Sequence, residues 1–335
     1  MMLLLTRGLN LFKIVVSYFI SRITKRVIHH GNPVAVSIEP INSCNLSCPE
    51  CPAGMKELTR PQGAMKPELF RSIIDQLSPH LTYLTLYFQG EPYMSKHFFD
   101  FIAYARSKRI FVASSTNGHF LDENSVRQTI GSGLNRLIVS LDGADQQSYE
   151  AYRKGGDFHK VFSGIRLLMS EKKRLGKRTP EIVLQCLVLR SNEHQLDKIR
   201  LLAKELGVDK LEFKTAQFND FLNGNPLMPE TTKYSRYQMS ACPPVHLSNC
   251  PPVHQYYIKN PLPNSCFRMW NSCVITWDGK VVPCCFDKDA TFIMGDLTKQ
   301  TLREIWRGKI YADFRQQIIK NRKSIDICSN CSQRF

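Results

Sequence analysis

From about residue 34 the chain alternates short β-branched or aromatic runs with longer amphipathic ones. Val34–Ile38, Tyr83–Phe88, Ile110–Ser115, Arg136–Leu141, Ile182–Leu189 and Lys210–Thr215 predict strands. Between them Pro67–Leu77, Ser95–Ser107, Asp122–Gly131, Phe158–Leu175 and Asn192–Leu206 predict helices, the first opened by its proline. Six strand–helix-like units in succession predict an α/β fold with a parallel sheet. Periodicity leaves an open sheet and a partial barrel both standing. In either, ligands belong at the C-terminal ends of the strands.

The pattern differs on both flanks. In residues 1–30 polar side chains recur at Thr6, Asn10, Lys13, Ser17, Ser21 and Thr24, one helical stripe, and the remaining surface is apolar. Arg7 and Lys13 interrupt the run, which argues against a transmembrane span. Two readings remain: a basic amphipathic helix on the inner face of a membrane, or a helix packed on the fold. Residues 219–265 are rich in Pro and Asn, with two copies of Cys-Pro-Pro-Val-His starting at Cys242 and Cys250, and predict a linker or covering loop. A metal site from Cys242, His246, Cys250 and His254 is the weaker alternative, because the Pro-Pro pairs stiffen it awkwardly. After Cys266, Asp278-Gly279 between Val274–Trp277 and Lys280–Val282 predicts a hairpin, and Thr301–Lys320 an amphipathic helix. The expected segments are therefore 1–33, 34–218, 219–265 and 266–335.

Composition changes this picture little. A length of 335 residues, 43% hydrophobic and 22% charged, suits a folded protein and excludes disorder. Lys and Arg number 45 against 29 acids, a net +16, which favours an anionic partner without choosing one. Aromatic residues are not interleaved with basic clusters as an RNA platform would need, so nucleic acid is not the expected partner. Nothing resembles a cleavable secretory signal, so a cytoplasmic location is expected and the twelve cysteines suggest ligands more than cross-links.

Three of them, Cys44, Cys48 and Cys51, form C-x3-C-x2-C just after the first predicted strand, with no fourth partner nearby. Four thiolates would close a zinc site or a cubane cluster, whereas three leave one iron with a free position. This signature resembles that of the radical S-adenosylmethionine (SAM) superfamily. The resemblance implies a partial (β/α)6 TIM-type barrel and a [4Fe–4S] cluster whose open iron is chelated by SAM. It also implies an external one-electron reductant of flavodoxin or ferredoxin type, and a 5′-deoxyadenosyl radical that abstracts hydrogen from substrate. Gln89-Gly90-Glu91-Pro92, Thr116-Asn117-Gly118 and Ser140-Leu141-Asp142-Gly143 fall at successive strand ends where the family binds SAM. The implied cofactor contacts are Gln89, Gly90, Glu91, Thr116, Asn117, Ser140, Asp142 and Arg153. Each motif taken alone is also an ordinary strand-to-helix turn.

Cys266, Cys284, Cys328 and Cys331, spaced C-x17-C-x43-C-x2-C, resemble the SPASM or shorter twitch extension of the same superfamily, a small cysteine-rich α+β domain. The resemblance implies one auxiliary [4Fe–4S] cluster; four thiolates on a structural zinc are the rival. Cys273 and Cys285 make no second set of four, and Cys285 should point away from Cys284 on a strand. A closed cluster can accept an electron, so the expected reaction is a two-electron oxidation of a small polar or anionic substrate. A peptide- or RNA-modifying enzyme and a non-catalytic electron carrier are the alternatives. Substrate candidates are Gln185, Asn192, Lys214 and Gln217, with Lys214 also the candidate proton acceptor if burial lowers its pKa.

Overall fold

A computed structural model describes residues 2–240, 255–260 and 262–331. The candidate ligands Cys242, His246, Cys250 and His254 lie outside the described residues. Six parallel strands, β1 (Ala35–Ile38), β2 (Tyr83–Thr85), β3 (Phe111–Thr116), β4 (Arg136–Ser140), β5 (Glu181–Val188) and β6 (Lys210–Thr215), stand side by side in chain order. Helices Pro67–Leu77, Phe98–Ser107, Glu123–Gly131, Phe158–Arg174 and Leu196–Leu206 return the chain between them, giving the expected partial barrel. Outward-facing Leu84, Leu137, Val139, Ile182 and Leu184 meet Phe70, Phe101, Ile165 and Leu168 in one buried core.

Several boundaries move for identifiable reasons. β2 stops at Thr85 and leads into the Gln89 turn. The Ser95 helix starts at Phe98, because Glu91 first caps a tight turn over Pro92–Met94. The helix expected from Asn192 begins at Leu196, after a 3-10 turn over Glu193–Gln195. A helix not foreseen, Gln146–Tyr152, is capped by Asp145. The expected helix over 301–320 is two, Leu302–Arg307 and Lys309–Asn321, split at Gly308, whose extended backbone breaks the first turn ladder. Residues 219–240 and 255–260 are not a bare linker either. A short hairpin of β7 (Tyr237–Met239) and β8 (Tyr256–Ile258) packs buried Tyr237 against Phe218 and Phe221.

The largest departure concerns the cysteine-rich segment. Its strands β9 (Ser272–Ile275), β10 (Lys280–Val282) and β11 (Gly295–Asp296) extend the barrel sheet, in the order β11-β10-β9-β1. β9 pairs parallel to β1, with Val36 opposite Cys273. The hairpin forms as expected, Val281 opposite Ile275, with Gly279 at φ +86° in its turn. Buried Glu39 at the end of β1 fastens this junction. Its carboxylate takes both Arg60 nitrogens at 2.6 Å and the backbone N–H groups of Gln89 and Trp277.

Helix α1 (Met2–Thr24) crosses the barrel floor, the end where the strands begin. Arg7 donates to the carbonyls of Arg109 (2.8 Å) and Ser78 (3.1 Å), just ahead of β3 and β2. Asn10 exchanges two bonds with Asn32 ahead of β1, and Ile28 N–H donates to Ser21 Oγ at 2.8 Å. The packed face comprises Asn10, Ile14, Ser17, Tyr18 and Ser21. The helix thus turns Asn10, Ser17 and Ser21 of its polar stripe inward and leaves Lys13 and Thr24 exposed, opposite to an ordinary packed amphipathic helix, whose inner face is apolar.

Candidate active site

The loop after β1 carries Cys44, Cys48 and Cys51. Asn42 pins its start, donating to the Pro61 carbonyl and accepting from Gly63 N–H, both at 2.9 Å. Cys51 begins the short helical turn Pro52–Met55, and Gly54 lies against the Cys48 backbone. The three cysteines open on a cavity of about 190 Å³ at the C-terminal ends of β1–β4. Gly90, Glu91, Thr116, Asn117, Ser140 and Arg153 also line it, with Leu46, Tyr87, Pro92, Ser115 and Tyr152. Three converging thiols beside cations and amide donors fit a cubane with one open iron. Asn117 Nδ2 reaches Cys44 Sγ at 3.8 Å, and Arg153 Nη1 reaches Cys48 Sγ at 4.0 Å. Burial pushes the Cys48 thiol up to about 11 despite Arg153, so ionisation there has to come from a bound metal.

Glu91 is fully buried and already engaged. It accepts from Thr116 Oγ1 (2.8 Å), Asn117 N–H (2.7 Å) and Tyr93 N–H (3.2 Å). Burial raises it to about 7 even so, and the three donors hold it below what burial alone would give. It ties the second and third strand ends together as it faces the cavity. Two expected contacts do not line that cavity. Gln89 turns its amide to the Phe88 carbonyl, and Asp142 is buried beneath Arg153. Asp142 accepts from Arg153 Nε at 2.5 Å and from Leu187 N–H at 2.6 Å. It is a positioning residue that aims the guanidinium at the site.

Gly90 has φ +76°, and a Cβ there would lie 2.6 Å from the Ile41 carbonyl and 2.7 Å from that of Ser43. Gly90→Ala is expected to lower stability by more than the ~1 kcal/mol of the left-handed backbone alone, since the cysteine loop must shift. SAM cleavage should fall with it, on the order of tenfold or more. Calorimetry and 5′-deoxyadenosine formation measure the two; a wild-type result in both refutes the close approach.

Cys266, Cys284, Cys328 and Cys331 surround a second, enclosed void whose other walls include Met269, Phe286, Phe314, Ile318 and Ile327. Four thiols around a mostly apolar void fit a four-cysteine cubane. Arg322 sits beside them, Nη2 3.4 Å from Cys331 Sγ, and its charge offsets part of the burial that raises Cys266 and Cys328. Cys285 lies in a turn just past β10 and not on a strand as expected, and it takes Arg268 Nη1 at 3.7 Å.

The substrate candidates separate. Gln185 lies on the barrel-facing side of β5, opposite Ser140 and Glu212 in register. Asn192 does not face the site: its amide donates to the Asp142 and Leu187 carbonyls and accepts from Leu189 N–H. Gln217, half-buried, lies just past the end of β6. Lys214 faces the barrel, yet its side chain is 50% exposed and pairs with Glu212 at 2.7 Å. The burial that would make it a base is missing. Sequence reasoning missed Arg236, Arg268 and Lys288, whose charges act on cysteines of this region. Lys288 is depressed by burial and lies near Cys51, Arg236 and Cys285; Arg236 lies near Cys285 and Cys331. Tyr87, raised to about 12 by burial, neighbours Cys285, Arg268 and Glu212. Only Tyr87 had a sequence signal, its place just ahead of the Gln89 turn.

Comparison with known proteins agrees with this geometry. Residues 38–210 match the Radical SAM superfamily, and residues 266–332 match the SPASM iron–sulfur cluster-binding domain. The chain belongs to the Radical SAM superfamily and is an enzyme that uses SAM with a [4Fe–4S] cluster, auxiliary iron–sulfur, and an external reductant. It is 23% identical to an AdoMet-dependent heme synthase of Methanosarcina barkeri, over 90% of this chain and 92% of that one. It is 21% identical to the S-adenosyl-L-methionine-dependent 2-deoxy-scyllo-inosamine dehydrogenase of Niallia circulans, over 89% and 92%. The crystal structure of BtrN in complex with AdoMet and 2-DOIA superposes with a TM-score of 0.54 at 19% identity, covering 90% and 94%.

Proposed function

We propose that this enzyme dehydrogenates a small anionic substrate held between two clusters. Cys44, Cys48 and Cys51 hold the SAM-binding cluster, with Gly90, Glu91, Thr116, Asn117, Ser140 and Arg153 around SAM. Cys266, Cys284, Cys328 and Cys331 hold one auxiliary [4Fe–4S] cluster. The observation that carries the reading is the enclosed four-thiol void, which leaves no open ligand position for substrate and so suits an electron acceptor. When bound, SAM and its cluster supply a radical that takes one hydrogen atom from a substrate C–H bond. The proton would leave a neighbouring O–H or N–H, and an auxiliary cluster held by Cys266, Cys284, Cys328 and Cys331 would supply the acceptor for the remaining electron, so that a two-electron oxidation balances. Arg236, Arg268 and Lys288 orient an anionic group beside Tyr87, and Arg236 Nη1 is buried with no partner among the described residues. Gln185, Gln217 and Lys214 lie on the β5–β6 side of the same space. The dehydrogenase relative supports oxidation over group transfer.

The test is anaerobic reconstitution, then incubation with SAM, reductant and a metabolite extract of the native organism. We expect about eight irons per chain, 5′-deoxyadenosine, and an anionic compound lighter by two hydrogens. About four irons with bound zinc would overturn the auxiliary cluster. A product with its hydrogen count unchanged would overturn the oxidation.

A further inference from the structure

We propose that the outer face of α1 docks the enzyme on an anionic lipid bilayer, with the barrel floor toward the lipid. Of the seventeen large apolar side chains exposed among the described residues, ten are on this one helix. Leu5, Leu9, Phe12, Val16, Phe19 and Ile23, three or four positions apart, form its outermost ridge. A soluble surface rarely leaves such a stripe in water, and here the helix cannot roll to hide it. Rolling would break the Arg7, Asn10 and Ser21 bonds and leave the backbone groups they serve covered by apolar side chains without partners. The same bonds hold the helix flat, which suits an interfacial helix and not one crossing the bilayer.

Charge selects the occupant. Lys13, Arg22, Lys25 and Arg26 are exposed on α1 and the turn after it, and no acid precedes Glu39. Nearby on the floor Lys108 and Arg109 add to them, and Asp75 pairs with Lys108 at 2.6 Å. A second copy docked symmetrically through this face would set these cations against themselves, a like-charge juxtaposition that opposes pairing. An anionic headgroup layer complements both the ridge and its basic rim. The cysteine-lined mouth then opens on the aqueous side, roughly 20 Å above the floor at the rise of a six-residue strand.

Co-sedimentation of the reconstituted full chain with vesicles tests this. One set is phosphatidylcholine alone, the other phosphatidylcholine and phosphatidylglycerol in equal parts. Wild type is expected to prefer the phosphatidylglycerol vesicles by on the order of a hundredfold and to lose most of that preference at high salt. Phe12→Glu/Phe19→Glu and Lys13→Gln/Arg22→Gln/Lys25→Gln/Arg26→Gln should each lose the binding while keeping the wild-type thermal midpoint and iron content. Failure to bind either vesicle overturns the proposal, as does binding indifferent to both variants. A lipid-free dimer in light scattering that Phe12→Glu/Phe19→Glu dissolves would give the face to a second copy.

Discussion

Alanine at Cys48 is expected to end SAM cleavage, whereas alanine at Cys284 should leave cleavage standing and end substrate oxidation. Cys48 is buried in the loop that Gly90 and Asn42 hold in place, and its sulfur faces Arg153. On the proposed assignment the cluster would lose one of three protein ligands, and 5′-deoxyadenosine formation should drop to background, on the order of a thousandfold or more. Cys284 lies two residues past the end of β10, in the void that Met269 and Phe314 also line. Its loss should lower iron by about four per chain and leave the first cluster loaded. In the proposed oxidation, hydrogen abstraction would then leave no acceptor for the second electron. The expected signature is 5′-deoxyadenosine without the oxidised product. Iron and sulfide analysis, chromatography and mass spectrometry read the three quantities. A Cys284→Ala protein that makes product at the wild-type rate would remove the auxiliary cluster from the reaction.

Asp142→Asn should be nearly as damaging, though Asp142 lies outside the cavity. The carboxylate is buried, receives Arg153 Nε and Leu187 N–H, and its backbone carbonyl receives Asn192. Asparagine keeps the shape but leaves Arg153 buried beside Tyr149 and Tyr152 without its counter-ion. Removing one partner of such a pair costs about 3–5 kcal/mol. Asp142 is also the main reason that the guanidinium stays firmly charged, its pKa held well above the usual value against desolvation. The freed arginine should swing away from Cys48, weakening SAM binding by on the order of tenfold or more. Arg153→Lys separates the effects: the ion pair survives in part, so the thermal midpoint should recover more than SAM affinity does. Equal recovery of both, or a wild-type midpoint in Asp142→Asn, would count against this arrangement.

What was legible in the sequence is local. Pro67–Leu77 and Lys210–Thr215 are found where apolar spacing places them, because a proline start and a β-branched or aromatic run act through neighbours. Asp278-Gly279 marked its hairpin for the same reason. The order of strand-end motifs pointed to one cavity, and six of eight expected cofactor contacts face it. Contacts between distant segments were not legible. Asp142 reads as a ligand until Arg153 is seen to occupy it, and Asn192 as a substrate contact until its amide is seen to serve three backbone groups. The inward polar stripe of α1 defeats hydropathy itself: Asn10 and Ser21 are buried by specific bonds to residues 28–32, which no periodicity encodes.

The pairing of β9 with β1 has a consequence for how the chain is made. Val36 meets Cys273, a partner roughly 240 residues later, so the barrel leaves synthesis with one edge of its first strand bare. An unpaired strand edge recruits other chains, and this one stays open until the last fifth of the protein emerges. The cysteine loop hangs from the end of that same strand. Loading of the first cluster and completion of the sheet are therefore tied together: a nascent chain that took up iron before β9 docked would do so on a strand still free to move.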